Sequence, residues 1–298
     1  MKRAHVVVIA AVVLTAGVVT GVVAEATHSN AATIGHAFPE PGSIAASPQT
    51  AITVRGISAK DVGHVAVTGA KSGKHAGKLS ASADGDGATF TPDTPFQAGE
   101  QVTVHTDGKV SGAHKGTFAF TVAHLAKPGI AKSAPGKAAT SSYHSVPDLN
   151  PPVVTVQTTG TVFNGLLASA PEEGMDGLML TDGNGQPVWY QPAPHGQIVG
   201  DLHVATYKGK QVLVYFEGSQ GFGPGNYRGS WHLLDTSYQQ IATISAGNGA
   251  KADLHDILLR KDGTAVVESY DPVVMDMTKH GGKKRATVLD CEIQQIDV

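Results

Sequence analysis

The tripeptide Asp-Leu-His occurs twice, at Asp201–His203 and at Asp253–His255, 52 residues apart. The residues after each copy also correspond: VATYKGKQVLVYFEG after the first, DILLRKDGTAVVESY after the second. A second landmark keeps nearly the same step. LTDGNGQPVW around Asp182 returns as LLDTSYQQIA around Asp235, 53 residues on, and as QQIDV at Asp297, a further 62. A repeat of this length, made of short β-type runs and turn residues, predicts the four-stranded blade of a β-propeller. Blades bury their faces against neighbours, and a ring needs about four to eight of them to close. Residues 153–298 hold fewer than three units. The chain is therefore expected to carry an incomplete propeller that ends within a blade. A short form completing its ring by oligomerisation is the other arrangement.

Composition supports an all-β chain. There are 36 glycines and 16 prolines to supply turns, and no long apolar stripe of helical period appears after the N-terminus. A net charge of −3 gives no electrostatic reason to expect nucleic acid as a partner. The single cysteine, Cys291, excludes an internal disulfide framework, and no Cys/His spacing of zinc type occurs. Cys291 lies in an alternating apolar run and is expected to be a small buried core residue.

The N-terminus reads as an address. Lys2 and Arg3 precede the uncharged stretch Val6–Ala24, and Ala24-Glu25-Ala26 comes next with small residues at a cleavage-type spacing. Residues 1–26 are thus a signal peptide or a membrane anchor, with residues 6–24 as the membrane-attaching part. Thr15, Gly17, Thr20 and Gly21 weaken it as a permanent span and favour cleavage. Either way the rest of the chain is expected to be secreted or at the cell surface.

Residues 27–41 form a flexible lead-in. Over 42–124 the runs AITVRGI, VAVTG, GKLSASA, ATFTP, EQVTVHT and GTFAFTVA alternate with Gly, Pro, Asp and Ser clusters, which predicts a small β-sandwich. GATFTPDTPFQAGEQVTVHTDG within it resembles the bacterial Ig-like domains of surface and secreted proteins, and implies a spacer or presentation module. Residues 125–152, including KPGIAKSAPGKAATSSYHSVPDLNPP, lack a periodic apolar face and are expected to be a disordered linker. In 153–298, FNGLLASA, GLMLTD and PVWYQP read as strands, with DGNG at Asp182–Gly185 and KDG at Lys261–Gly263 as hairpin turns. DGNG lacks the remaining ligands of a calcium loop.

GLMLTDGNGQPVWYQP, the DLHVATYKGKQVLVYFEG run, ADLHD with DGTA and YDPV after it, and DMTKHGG with VLDCEIQQIDV resemble the bacterial arylsulfotransferase-like (aryl-sulfate sulfotransferase) β-propellers, in their N-terminal part. Two features depart from that pattern. Asp256 stands where glutamate is commoner, and Lys283, Lys284 and Arg285 replace a Gly/Ala-rich segment.

The resemblance implies an exported six-bladed enzyme that moves a sulfuryl group from a phenolic sulfate donor to a phenol acceptor through a transiently sulfated histidine, without a cofactor or metal. His255 is the first candidate, contacting a sulfuryl or bridging phenol oxygen, with Asp256 or Asp253 holding its tautomer. His203 occupies the corresponding place one unit earlier. Arg228 and Tyr227, in the Gly-rich GFGPGNYRGS, are candidate substrate contacts because guanidinium suits sulfate. Glu217, Glu268, Tyr270 and Trp231 read as packing or rim residues, and His280–Arg285 as an exposed basic turn. The resemblance places the sulfated histidine in later blades, so this chain is expected to be a truncated, inactive fragment.

A second class stays open: a non-catalytic cell-surface propeller that binds a ligand or acts as scaffold, with cell-wall contact through the sandwich. A quinoprotein-type redox propeller shares the turn and the aromatic residue but not the Asp-Leu-His blocks.

Overall fold

The structure, a computed structural model, describes residues 34–127, 139–157, 160, 164–172, 175–223 and 225–298. The expected address segment, residues 1–26, lies outside the described residues, as do residues 27–33 of the lead-in; residues 34–41, expected to be flexible, instead carry a strand, His36–Phe38, paired with Thr53–Arg55. Among the described residues no helix is long and apolar enough to cross a membrane.

The described residues are almost entirely β, in several sheets, and none of these closes on itself. Its first part runs β1 (His36–Phe38), β2 (Ile52–Arg55), β3 (Val65–Gly69), β4 (Gly73–His75), β5 (Gly77–Ala81), β6 (Gly87–Pro92), β7 (Gln101–Thr106) and β8 (Thr117–Thr121). One helical turn, α1 (Ala59–Val62), interrupts it. Ser58 Oγ accepts from the Asp61 N–H to start that turn, and Gly63 at φ +66° ends it. Each of the six alternating runs contains a strand. They form two antiparallel sheets, β1-β2-β6-β5 and β4-β3-β7-β8. The period of two puts Val102 and Val104 of β7 on the same side as Phe118 and Phe120 of β8. These pack with Ile52, Val54 and Phe90 of the other sheet into one core.

The second part starts with β9 (His124–Leu125) and continues through β10 (Leu167–Ser169), β11 (Gly177–Thr181), β12 (Pro187–Pro192), β13 (Ile198–Tyr207), β14 (Lys210–Gln220), β15 (Tyr227–Leu234), β16 (Gln240–Ile244), β17 (Ala252–Leu259), β18 (Thr264–Met275) and β19 (Ala286–Asp297). Three antiparallel meanders emerge: β10-β11-β12, then β13-β14-β15-β16, then β17-β18-β19. A single pair, Gly229↔Ala252, joins the second to the third.

The sequence repeat maps onto these meanders. Asp182 begins the β11–β12 turn, where its Oδ1 accepts from the Asn184 and Gln186 N–H groups. Asp235 begins the β15–β16 turn and accepts in the same way from Ser237 and Gln239. The repeated aspartate is thus a hairpin device, in which a short acceptor closes the turn that the strands require.

β14 explains why the meanders stack. Its alternate residues are buried on both faces: Leu213 and Tyr215 pack with Leu178 and Leu180 of the first meander, while Val212, Val214 and Phe216 pack with Ala265 and Val267 of the third. A strand covered on both sides reads as an unbroken apolar run, and VLVYF is one. The third meander has no such cover on its outer side among the described residues. Leu258, Leu289 and Ile293 are exposed there.

Cys291 is on that same outer side and is exposed, contrary to the expected core position. The alternation was real, but it placed the thiol on the uncovered face, opposite Tyr270.

The expected linker, 125–152, also differs where it is described. Leu125, with His124 before it, pairs with Val273 and Val274 of β18, the Ala126 N–H donates to Pro272 O, and Thr140 bridges Pro152. The two parts are further tied through Asn248. Its carbonyl accepts from Ser47 Oγ at 2.7 Å, its Oδ1 from the Ala51 N–H at 3.0 Å, and its Nδ2 donates to Glu292. Asn248→Ala removes the two side-chain bonds. It is expected to destabilise the junction by about 1–2 kcal/mol, seen as faster proteolysis between the two parts and a lower unfolding midpoint.

Candidate functional site

Both Asp-Leu-His copies lie at a register shift in the first strand of their meander, between Gly200 and His203 in β13 and between Ala252 and Ile257 in β17. An irregularity of this kind frees side chains from the ladder and re-aims them. The two copies also touch. Gly200 leaves room for Leu254, whose Cδ1 would lie 2.5 Å from a Cβ built at that glycine.

Asp253 is the centre of the second copy. Its side chain is fully buried; Oδ2 accepts from the Tyr227 N–H at 2.9 Å, and Oδ1 accepts from the His255 N–H at 3.0 Å and contacts His255 Nδ1. The Asp253 carbonyl accepts from Trp231 Nε1 at 3.1 Å. The imidazole of His255 is about half exposed, and its edge meets the Tyr227 ring at 6.0 Å. Among the described residues nothing hydrogen-bonds to His255 Nε2. A histidine anchored at Nδ1 by a buried carboxylate, with Nε2 open, can present either a donor or a lone pair to a ligand.

Of the two carboxylates considered for holding His255, the structure uses Asp253. Asp256 is exposed and turns back to accept from the Ile257 N–H at 2.8 Å. The reason is elementary: residues 253 and 255 share a face of the strand, and 256 projects from the other. His203 repeats the arrangement more loosely. Its Nδ1 lies 3.0 Å from Asp201 O and 3.3 Å from Asp201 Oδ2, with both side chains partly exposed. Trp231 links the copies, since its ring also meets His203 edge-on at 6.5 Å.

Tyr227 and His255 come together, but Arg228 does not join them. Its guanidinium is bound to Asp271 Oδ1 at 2.7 Å and to Tyr270 O at 3.4 Å, bridging β15 to β18. As neighbours on a strand, Tyr227 and Arg228 face opposite ways, so only one of them can reach His255. Glu268, read from sequence as a packing or rim residue, is brought to the site instead. One ligand-type atom from each of Asp253, His255 and Glu268 lies within 4.8 Å of the others. The signal for Glu268 was in the repeat: by the 52-residue offset it stands where the earlier unit has Phe216.

A separate cleft of about 190 Å³ lies elsewhere, lined by Leu180, Val204, Gln211, Val212, Leu213, Asp235, Thr236 and Tyr238, with no histidine or arginine among them.

The class defined by this geometry is an all-β protein of stacked meanders with a carboxylate-held histidine on the first strand of a repeat. The family model described as arylsulfotransferase (ASST) matches residues 203–298, a stretch that contains both histidines, Tyr227, Arg228 and the Asp253 cluster. No curated protein matches the chain.

Among solved structures, the S-layer protein rSbsC(31-844) is similar over 84% of this chain at 15% identity and a TM-score of 0.22. The N-terminal part of the bacterial S-layer protein SbsC is similar over 72% at 12% and 0.23, and SbsC domains 1-6 over 90% at 13% and 0.23. The chain covers 40%, 44% and 41% of those chains respectively. At such TM-scores the likeness carries no statement about fold.

Proposed function

We propose that this is an exported arylsulfotransferase-like protein whose stacked meanders are blades of a β-propeller, behind an Ig-like module. In this reading it serves sulfuryl transfer from a phenolic sulfate to a phenol. His255 is the residue that contacts a sulfuryl or phenolic oxygen, through Nε2. The observation that carries the reading is the buried Asp253 fixing His255 by its other nitrogen, inside the stretch that the arylsulfotransferase family model matches. Charge develops on sulfuryl and leaving-group oxygens during transfer, and the imidazolium form of His255, its Nδ1–H held by Asp253, presents a preoriented Nε2–H donor that needs no reorganisation. Tyr227 then acts by holding Asp253 and walling the imidazole, and Arg228 by bracing β15 against β18. Export rests on Lys2, Arg3 and the apolar stretch Val6–Ala24. The sulfur-accepting histidine of the reaction is not assigned to any residue of this chain.

The test is a titration of the chain with a chromogenic aryl sulfate, followed by calorimetry. Saturable binding is expected, weakened about tenfold in His255→Ala, the cost of one charge-assisted hydrogen bond. Equal binding by His255→Ala and the parent would remove His255 from the site. Binding of the phenol but not of its sulfate would favour a non-catalytic binding module.

A further inference from the structure

Asp253, His255 and Glu268 bring two carboxylates and an imidazole together at one place. Two carboxylates lie within 4.8 Å of one imidazole nitrogen, and one of them, Asp253, is fully buried. Among the described residues no lysine or arginine pairs with either acid. The five ion pairs are Arg55–Asp84, His203–Asp201, Arg228–Asp271, His255–Asp253 and Arg260–Asp262. Arg228, the guanidinium on the neighbouring strand, is taken by Asp271. Buried carboxylates are retained when they are paired or when they coordinate a cation. The Tyr270 hydroxyl donates to Glu268 Oε2 at 3.4 Å.

The repeat supplies an internal comparison. The first copy keeps the aspartate and histidine, as Asp201 and His203, but has the fully buried Phe216 where the second has Glu268. Phe216 pairs with Trp231 in register, and Glu268 pairs with Ile293 at the corresponding place. An acid thus stands where the first copy has a core aromatic, on the side of the third meander that is uncovered among the described residues and beside the histidine that Asp253 holds.

We propose that Asp253, His255 and Glu268 bind one divalent first-row transition-metal ion of the zinc type. One imidazole nitrogen and two carboxylate oxygens are donors that such ions accept, and three protein ligands leave coordination positions open for an outside oxygen. The ligands come from two strands and include no cysteine, which is why Cys/His spacing does not reveal them. A bound ion here could polarise an outside oxygen ligand as a Lewis acid, a role separate from the direct His255 contact proposed above. The metal site goes beyond that reading and does not depend on it, because its test needs no aryl sulfate.

The experiment is calorimetric titration of the chelator-stripped full chain with Zn²⁺, beside Glu268→Gln, His255→Gln and Glu268→Phe. The last variant restores the residue type of the first copy and so serves as the folding-compatible change, with circular dichroism of each protein as the control. One Zn²⁺ per chain is expected, with affinity lowered at least tenfold by either Glu268 change and at least a hundredfold by His255→Gln. Absence of binding overturns the proposal. So does binding that Glu268→Phe and His255→Gln leave unchanged, since the ion would then be held by other histidines.

Discussion

Replacing Trp231 by alanine is expected to cost about 3–5 kcal/mol of stability, the range for removing a large buried aromatic. Trp231 is fully buried between the second and third meanders, where it meets the Phe216 ring edge-on at 5.6 Å. Its loss removes more than volume. Nε1 donates to the Asp253 carbonyl, so the variant also leaves a buried acceptor without its partner and loosens the strand that carries His255. Trp231→Phe keeps most of the apolar body and loses only the N–H. A smaller penalty, about 1–2 kcal/mol, is expected for it. Denaturant midpoints monitored by far-ultraviolet circular dichroism would show both effects. A cost below about 1 kcal/mol for the alanine variant would mean that the meanders do not depend on their shared core.

The second large effect is at Glu100, in the first part of the chain. This side chain is buried, yet no lysine or arginine meets it among the described residues. Four donors surround the carboxylate. The N–H groups of Lys71 and Ser72 reach Oε2, and the Gln97 N–H and Ser72 Oγ reach Oε1, at 2.6–3.0 Å. Glu100→Ala leaves the three N–H groups without this acceptor, while Ser72 Oγ keeps His75 Nε2 at 2.7 Å, and is expected to cost about 3 kcal/mol.

The same geometry sets the pH response. Burial by itself would raise the Glu100 pKa, but the hydrogen bonds, led by Ser72, outweigh it and bring the value to about 2. A folded-state pKa below the ordinary value of 4.5 makes the contribution complete above about 4.5; it is lost as the pH falls through about 2. The stability gap between parent and Glu100→Ala should therefore narrow steadily over that interval. A gap that stays constant down to pH 2 would show that the ionised form of Glu100 is not what the four donors stabilise.

Much of this architecture could be read from local pattern. The runs around Val54, Val67, Phe90, Val104 and Phe120 alternate because one face of each strand is buried, and that signal survives without any knowledge of partners. The repeat around Asp182 and Asp235 was legible for a similar reason, since a turn closed by its own aspartate is a local event. What failed was non-local. Alternation around Cys291 shows that a face exists but not which face is covered. Nothing in residues 124–125 announces a partner strand some 150 positions later. At the site, strand alternation alone would have chosen Asp253 over Asp256 and separated Tyr227 from Arg228. Glu268 needed one more step, the comparison of the two repeat copies position by position.

The pairing of His124 and Leu125 with β18, together with the Asn248 bonds, has a consequence for motion in solution. Two bodies on a free tether reorient separately, and nuclear spin relaxation then gives each its own correlation time. Here the start of the connecting segment is paired with β18 of the downstream body. Amides of Val104 and of Val214 should therefore tumble with one shared rotational time, until a change such as Asn248→Ala lets the two rates diverge.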